Sequence, residues 1–231
     1  MKSLMYELEV TAKQDKYVNW MYSKIKPYIK GNVLEVGSGI GTFSEKIIED
    51  TNGGVYLTDI RTDLLKLLKK KFKQERVKIL YLDLNHLREF VKLGIRFDTI
   101  VSINVLEHIE EDRTCMWLLK CLLNKGGRIV MYVPCNKFLF CHLDVEEGHF
   151  RRYSKRELEE LASESGLKIE KAFWFNLFGI PARYIIGNIL GVSKSPSKSF
   201  GFYNLMTPIF KFIEEKILFN CWGVGRILVL K

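Results

Sequence analysis

Short apolar runs alternate with segments of helical spacing from residue 32 to residue 134, and this rhythm restricts the fold more than any other feature of the chain. The runs are "NVLEVG" (32–37), "GGVYLTDI" (53–60), "VKILYLDL" (77–84), "FDTIVSI" (97–103) and "GGRIVMYVP" (126–134). Between them "GTFSEKIIED", "RTDLLKLLKKKFKQ", "HLREFVKL" and "EDRTCMWLLKCLL" predict helices. Strands separated by helices pair in parallel, and near-continuous apolar character means that both faces of each strand are covered. Right-handed crossovers then give an α/β, doubly wound, Rossmann-like sheet. "SKRELEELASESG" adds a helix with a capping box, Ser154 followed three residues later by Glu157. "LKIEKAFWF" and "VGRILVLK" supply a sixth and a seventh strand. The expected organisation is one domain over 1–231: a helical cap over 1–30, a core over 31–175, an aromatic-rich helical lid or insertion over 176–222, and a final strand over 223–231. With 231 residues and 47% apolar content, the chain can bury one sizeable core.

Ligands of such sheets bind beyond the carboxyl ends of the strands, at the point where strand order reverses. The first strand ends there in a loop of alternating glycines, Gly37, Gly39 and Gly41, with Ser38 between the first two and Glu35 ahead of them. The dinucleotide fingerprint needs its third glycine at position 42, which is Thr42, and a carboxylate beside a pyrophosphate would repel it. A phosphate-binding P-loop is excluded because no Lys-Ser/Thr pair follows the glycines. A ligand that carries positive charge beside an adenosine, as S-adenosylmethionine (SAM) does, fits better. Glu35 would sit near its aminoacyl end while the glycines pack on the methionine portion. Asp59, followed by Ile60, is placed for the ribose hydroxyls, and Asp83, followed by Leu84, for the adenine amine. Asn104 and Val105 would line the floor under the sulfonium. Taken singly, Asp59 and Asp83 also fit helix caps.

The runs "VLEVGSGIG", "LTDI", "LYLDL", "FDTIVSINVLEHIEED" and "GGRIVMYVP" resemble the successive motifs of the class I SAM-dependent methyltransferases, over about residues 15–170. The later "LDVEEGHFRRYSKRELEELASESGL", with its Gly-His-x-Arg-Arg-Tyr-Ser loop, and "VNWMY" (18–22) resemble a subgroup of small-molecule enzymes associated with polysaccharide and glycan biosynthesis. The resemblance implies a seven-stranded sheet whose last strand is antiparallel, SAM as cofactor, and methyl transfer to a small polar acceptor, a hydroxyl of a sugar or glycan intermediate. Alternatives are N-methylation of an amino sugar or other small amine, and a SAM-fold module that binds without catalysis.

Methyl transfer to a hydroxyl or amine calls for positioning and a proton acceptor. His149 and His108 are the candidates, with His149 preferred because the acceptor should approach from its loop. Asp144, Arg151, Arg152 and Tyr153 are expected to contact the acceptor, the arginines through forked bonds to an anionic group. The competing reading is structural, with the arginines anchored to Asp144, Glu146 or Glu147. Cys135, Cys141, His142, Asp144 and His149 fit no common zinc spacing, and Asn104-Val-Leu-Glu107-His108 lacks the first glutamate of the Glu-x-x-Glu-His magnesium cluster of the ubiquinone-pathway O-methyltransferases, which it otherwise resembles, so no metal is expected.

The net charge is +9, and seven basic residues crowd "KLLKKKFKQERVK" (66–78). Their spacing reads as the solvated face of an amphipathic helix. Nucleic-acid methylation is disfavoured: no Asn/Asp-Pro-Pro-aromatic box follows the fourth strand, and Pro134-Cys135 follows the fifth. Five cysteines without a C-x-x-C pair suit reduced thiols in a cytoplasmic setting, and the first twenty residues lack the apolar core of a signal peptide. The longest apolar stretch, 172–192, is broken by Asn176, Pro181, Arg183 and Asn188. Its aromatic surface is expected to serve as a lid, as a homodimer contact, or as a peripheral contact with an anionic membrane near the basic "SKSPSKS".

Overall fold

The structure, a computed structural model, describes residues 8–189, 191 and 197–231. Helix α1 (Asp15–Ile25) leads into β1 (Val33–Val36), α2 (Ser44–Asp50), β2 (Val55–Asp59), α3 (Thr62–Lys71) and β3 (Val77–Tyr81). Then come α4 (Leu87–Lys92), β4 (Phe97–Ile103), α5 (Asp112–Cys121), β5 (Leu123–Pro134), α6 (His142–Glu147), α7 (Lys155–Glu164) and β6 (Ile169–Phe175). The chain closes with α8 (Gly179–Tyr184), α9 (Ser197–Phe212) and β7 (Gly225–Leu230). Strand order is β3-β2-β1-β4-β5-β7-β6. The first five of these pair in parallel, and β7 runs antiparallel to both β5 and β6. The expected doubly wound sheet with an antiparallel last strand is therefore present.

Each strand divides its side chains between two cores because successive residues point to opposite faces. Leu34, Val36, Ile100 and Ile129 pack with Leu87, Phe90, Met116, Leu119, Leu158 and Leu161 from α4, α5 and α7. Val33, Leu57, Val101 and Val130 pack with Trp20, Ile25, Ile47, Leu65 and Leu68 from α1, α2 and α3. In α3, Leu64, Leu65 and Leu68 are buried while Lys66, Lys69, Lys70 and Lys71 are exposed, so the basic run is a solvated helix face. The capping box of α7 forms as expected, with Glu157 N donating to Ser154 Oγ at 3.2 Å and Ser154 N to Glu157 Oε2 at 2.9 Å.

Three boundaries differ from the sequence reading. Strand β5 begins at Leu123, which pairs with Phe97, so the preceding helix stops at Cys121 rather than running through Leu123. Helix α6 has no counterpart among the predicted elements. Part of the predicted basic linker, Ser197 to Ser199, opens α9, while residues 192–196 lie outside the described residues, as do residues 4–7 of the predicted N-terminal helix.

The insertion between β6 and β7 is fastened at the sheet edge and on α1. Both oxygens of the buried Glu214 accept backbone N–H groups, from Asn176 and Leu177, each at 2.8 Å. Glu215 accepts from Trp20 Nε1 at 2.9 Å and pairs with Lys24 at 2.8 Å. Asn204 receives the Lys16 and Tyr17 N–H groups and donates to Asp15. Asn204 of α9 thus faces α1, and Phe202, Leu205, Ile209 and Phe212 are left more than half exposed (65, 63, 52 and 61%).

Removing the carboxylate in Glu214→Ala strands two buried N–H groups, so the fold should lose about 2–4 kcal/mol, with Glu214→Gln losing less because one acceptor oxygen remains. Thermal melts check the order of stabilities. Amide exchange should quicken across 176–222 in the alanine variant while β1 and β4 stay protected.

Candidate active site

The glycine loop leaves β1 in a conformation that its glycines make possible. Gly37 has φ +69°, and a Cβ there would lie 2.5 Å from Val105 Cγ2, so the loop after β4 packs directly on the glycine backbone. The loop is latched to β2: Ser38 N donates to the Thr58 carbonyl at 2.8 Å, and Thr58 N donates to Ser38 Oγ at 3.1 Å. Gly39 N donates to Asp59 Oδ2, and Arg61 N to Asp59 Oδ1, both at 2.9 Å. Asp59 therefore ties the loop to the start of α3, and burial raises its pKa. Glu35 is buried beneath the loop and accepts from Ser44 Oγ at 2.5 Å. Burial, with the Asp59 charge adding to it, pushes Glu35 up to about 7 against the Ser44 and Ser38 hydrogen bonds.

Two buried carboxylates at one glycine loop make an environment that a cation would relieve. Leu8 of the N-terminal segment also reaches this loop, 3.2 Å from the Cβ position of Gly39; no sequence signal pointed to it.

The remaining predicted cofactor residues border the same edge. Asp83 follows β3 and accepts from Asn85 N at 2.9 Å, with His86 Nδ1 at 2.8 Å. Burial opposes its charge, but the His86 and Asn85 bonds outweigh burial and hold it below the usual carboxylate range. Its role as a cap is thus realised, at the strand end where a ligand contact was expected. Ile60 is exposed and Leu84 buried. Asn104 closes β4 with φ +52° and donates its N–H to the Tyr132 carbonyl, which turns the chain so that Val105 meets Gly37.

A second cluster lies one 3-10 turn beyond Val105, at Leu106–His108, where the loop after β5 folds back. Phe150 N donates to the Glu107 carbonyl at 2.9 Å, which clamps the two segments together. His149 Nδ1 is 2.9 Å from Asp144 Oδ1, and its Nε2 is 3.9 Å from Glu107 Oε1 and 3.5 Å from Glu147 Oε2. The rings of His108 and His149 meet edge to face with centroids 4.6 Å apart. Burial, then His149, pushes His108 down to about 4. Burial pushes Glu107 up to about 7.

Asp144, Arg152 and Tyr153 correct the expectation that they contact an acceptor. Asp144 is fully buried and pairs with Arg152 Nε at 2.8 Å and with Arg183 of α8 at 3.0 Å, besides His149. Burial opposes its charge, yet these three partners hold it far below the usual carboxylate range. Arg152 is buried and also reaches the Cys135 carbonyl. The Tyr153 hydroxyl donates to Asp112 at 2.8 Å. Arg151 pairs with the same Asp112 at 2.9 Å and donates to the Glu110 carbonyl, so it too holds the loop, although its side chain stays part-exposed. Of the predicted residues in this loop, His149 is the one that turns a ring nitrogen, Nε2, toward Glu107 and Glu147. Sequence reasoning missed Arg183, because its partners Asp144 and Glu147 lie on a distant segment.

Residues 34–129 match a family model described as a methyltransferase domain. Solved structures with the same fold include a SAM-dependent methyltransferase from Mesorhizobium loti, 14% identical, with TM-score 0.64 over 94% of this chain and 99% of that one. A SAM-dependent methyltransferase from Archaeoglobus fulgidus is 16% identical, with TM-score 0.58 over 91% of each chain. The magnesium protoporphyrin IX methyltransferase of Synechocystis, solved with bound S-adenosylhomocysteine, is 16% identical, with TM-score 0.54 over 94% of this chain and 81% of that one. No curated protein matches by sequence.

Asp144→Ala would leave Arg152 buried without its counter-charge and is expected to cost about 3–5 kcal/mol. Urea unfolding measures the loss, and amide exchange should localise it to residues 141–153. If Arg152 were free to bind an acceptor, the same substitution would leave stability nearly unchanged.

Proposed function

We propose that the protein is a SAM-dependent methyltransferase acting on a hydroxyl of a sugar or glycan intermediate. The observation that carries the cofactor assignment is the buried Glu35 under the glycine loop, a carboxylate whose environment a neighbouring cation would relieve. The donor set fits SAM. Glu35 serves its cationic aminoacyl end, the backbone of Gly37, Ser38, Gly39 and Gly41 packs against the methionine portion, and Asn104 and Val105 form the floor. Each oxygen of Asp59 holds one backbone N–H and keeps a further acceptor site for a ribose hydroxyl. Asp83 and the exposed Ile60 serve the adenine. When bound, SAM supplies the activated methyl group.

The chain's own part in catalysis is to orient the acceptor and take its proton. The Asp144 carboxylate fixes the proton of His149 on Nδ1, which leaves Nε2 as a lone-pair nitrogen able to receive the hydroxyl proton. His108 stands beside it, neutral because burial has lowered its pKa. The glycan assignment is supported by the resemblance of the Gly-His-x-Arg-Arg-Tyr-Ser loop to the glycan-associated subgroup. The exposed face of α9 supports a lipid-linked acceptor at an anionic membrane surface. It presents large apolar side chains on a positively charged protein, and among the described residues no helix is long and apolar enough to cross a bilayer.

A bound cation lowers the pKa of Glu35. SAM affinity should therefore rise with pH through about 7 and level off above it. The rise should be ~10-fold for each unit by which the bound state lowers that pKa. Calorimetry at pH 5.5 to 8 tests this, and Glu35→Gln should flatten the profile. An unchanged slope in that variant would take Glu35 out of the cofactor site.

The acceptor is tested by the SAM-dependent gain of one methyl group in a mass-spectrometric screen of sugars, nucleotide sugars and lipid-linked glycans. Turnover confined to small amines would overturn the hydroxyl assignment. Floating the protein with anionic vesicles should recover it with the lipid at low salt, and Phe202→Ser with Leu205→Ser should release it. Failure of the intact protein to float would remove the membrane from the proposal.

A further inference from the structure

We infer that Glu107, His108 and His149 form a binding site for a divalent transition-metal ion. Three observations carry this. First, both carboxylate oxygens of Glu107 are buried, and neither has a hydrogen-bond partner among the described residues. A buried carboxylate without donors is costly, and native structures supply it with a proton or a cation.

Second, each ring uses Nδ1 on another partner and keeps Nε2 for a ligand. His149 Nδ1 lies 2.9 Å from the Asp144 carboxylate and donates to it, so Nε2 is the nitrogen turned to Glu107 and Glu147, at 3.9 and 3.5 Å. His108 Nδ1 lies 3.2 Å from the Gly148 carbonyl, which can only accept, so it donates there.

Third, one donor atom from each of the three residues lies within 4.8 Å of the others, and Glu107 Oε1 is 3.9 Å from His149 Nε2. Two ligands on one ion with bonds of about 2.0–2.2 Å stand roughly 3–4 Å apart. Side-chain adjustments of about an ångström or less would close the set.

The surroundings have the form that metal sites use. Carboxylate to histidine to metal is the arrangement that fixes a ligand's tautomer, and Asp144 stands in that place behind His149. Asp144 is itself immobilised by Arg152 and Arg183. Gly148 ends α6 in the left-handed conformation, φ +80°, which aims its carbonyl at His108 and starts the turn into His149. Two imidazoles with one carboxylate suit zinc, manganese, iron or cobalt better than magnesium or calcium. Three protein ligands leave coordination positions for an outside oxygen, and His108 is part-exposed on that side. In the sequence Glu107-His108 stood as an incomplete counterpart of a carboxylate-histidine metal cluster, and His149 comes from a second loop that only the sheet brings beside them.

The inference rests on the proposed function for its role alone: with an ion present, His149 Nε2 is a ligand and the acceptor's oxygen would bind the ion instead of the imidazole. Binding is tested without turnover. Protein stripped with a chelator and dialysed is titrated with Co²⁺, read by its visible absorption, and with Zn²⁺, read by calorimetry. SAM binding is measured alongside. We expect one equivalent to bind in the micromolar range or tighter. Glu107→Gln and His149→Gln should each weaken it by at least ~100-fold, beyond the loss typical of an outer partner, with SAM affinity unchanged.

Absence of a bound equivalent in wild-type protein that still binds SAM overturns the site and leaves Glu107 sharing a proton with His149. Unchanged metal affinity in both variants also overturns it, by placing the ion elsewhere. Loss of SAM binding by the stripped wild-type protein would instead count against the proposed function.

Discussion

A parallel sheet buried on both faces leaves its carboxyl edge as the place where polar chemistry can gather. The strand interiors are apolar because helices cover them, and side chains that carry charge are pushed to the strand ends. Glu35, Asp59, Asp83 and Asn104 all stand at or next to the carboxyl ends of β1 to β4. The closest packing of this edge, Val105 against Gly37, joins the loop after β4 to the glycine loop. That contact sets the distance between the cofactor side of the cleft and the cluster of Glu107, His108 and His149.

The second cluster depends on Asp144 in a different way. One buried carboxylate holds a histidine from its own loop, an arginine three residues beyond that histidine, and an arginine from the insertion. Two buried guanidinium groups and a carboxylate satisfy each other only when all three segments are in place. The insertion is thereby coupled to the Asp144-His149 cluster through Arg183, and to α1 through Glu215 and Asn204. It is a structural part of the cleft as well as a source of exposed apolar surface.

Much of the fold was legible because the strands are short, apolar and punctuated by glycine, and because the α7 capping box and the amphipathic α3 have local causes. The positions of Glu35, Asp59 and Asp83 were legible for the same reason: a carboxylate at the end of an apolar run is placed by the run. The Arg151-Arg152 pair stayed open between two readings because a pair of arginines looks the same in sequence whether its counter-charges are a ligand's or the protein's own. Here Asp112, Asp144 and the Glu110 carbonyl hold it, and nothing local to the pair indicates them.

The sequence by itself determined the layered sheet, the glycine loop and the order of carboxylates along the edge, since each follows from the period of apolar residues and from backbone freedom at glycine. The tertiary structure alone decided which polar groups are neutralised and which are left facing one another. Burial and through-space partners set the orientation of the His149 ring on Asp144, the isolation of Glu107 and the outward turn of Phe202, Leu205, Ile209 and Phe212. Those depend on contacts between segments far apart in the chain, where local pattern carries no information.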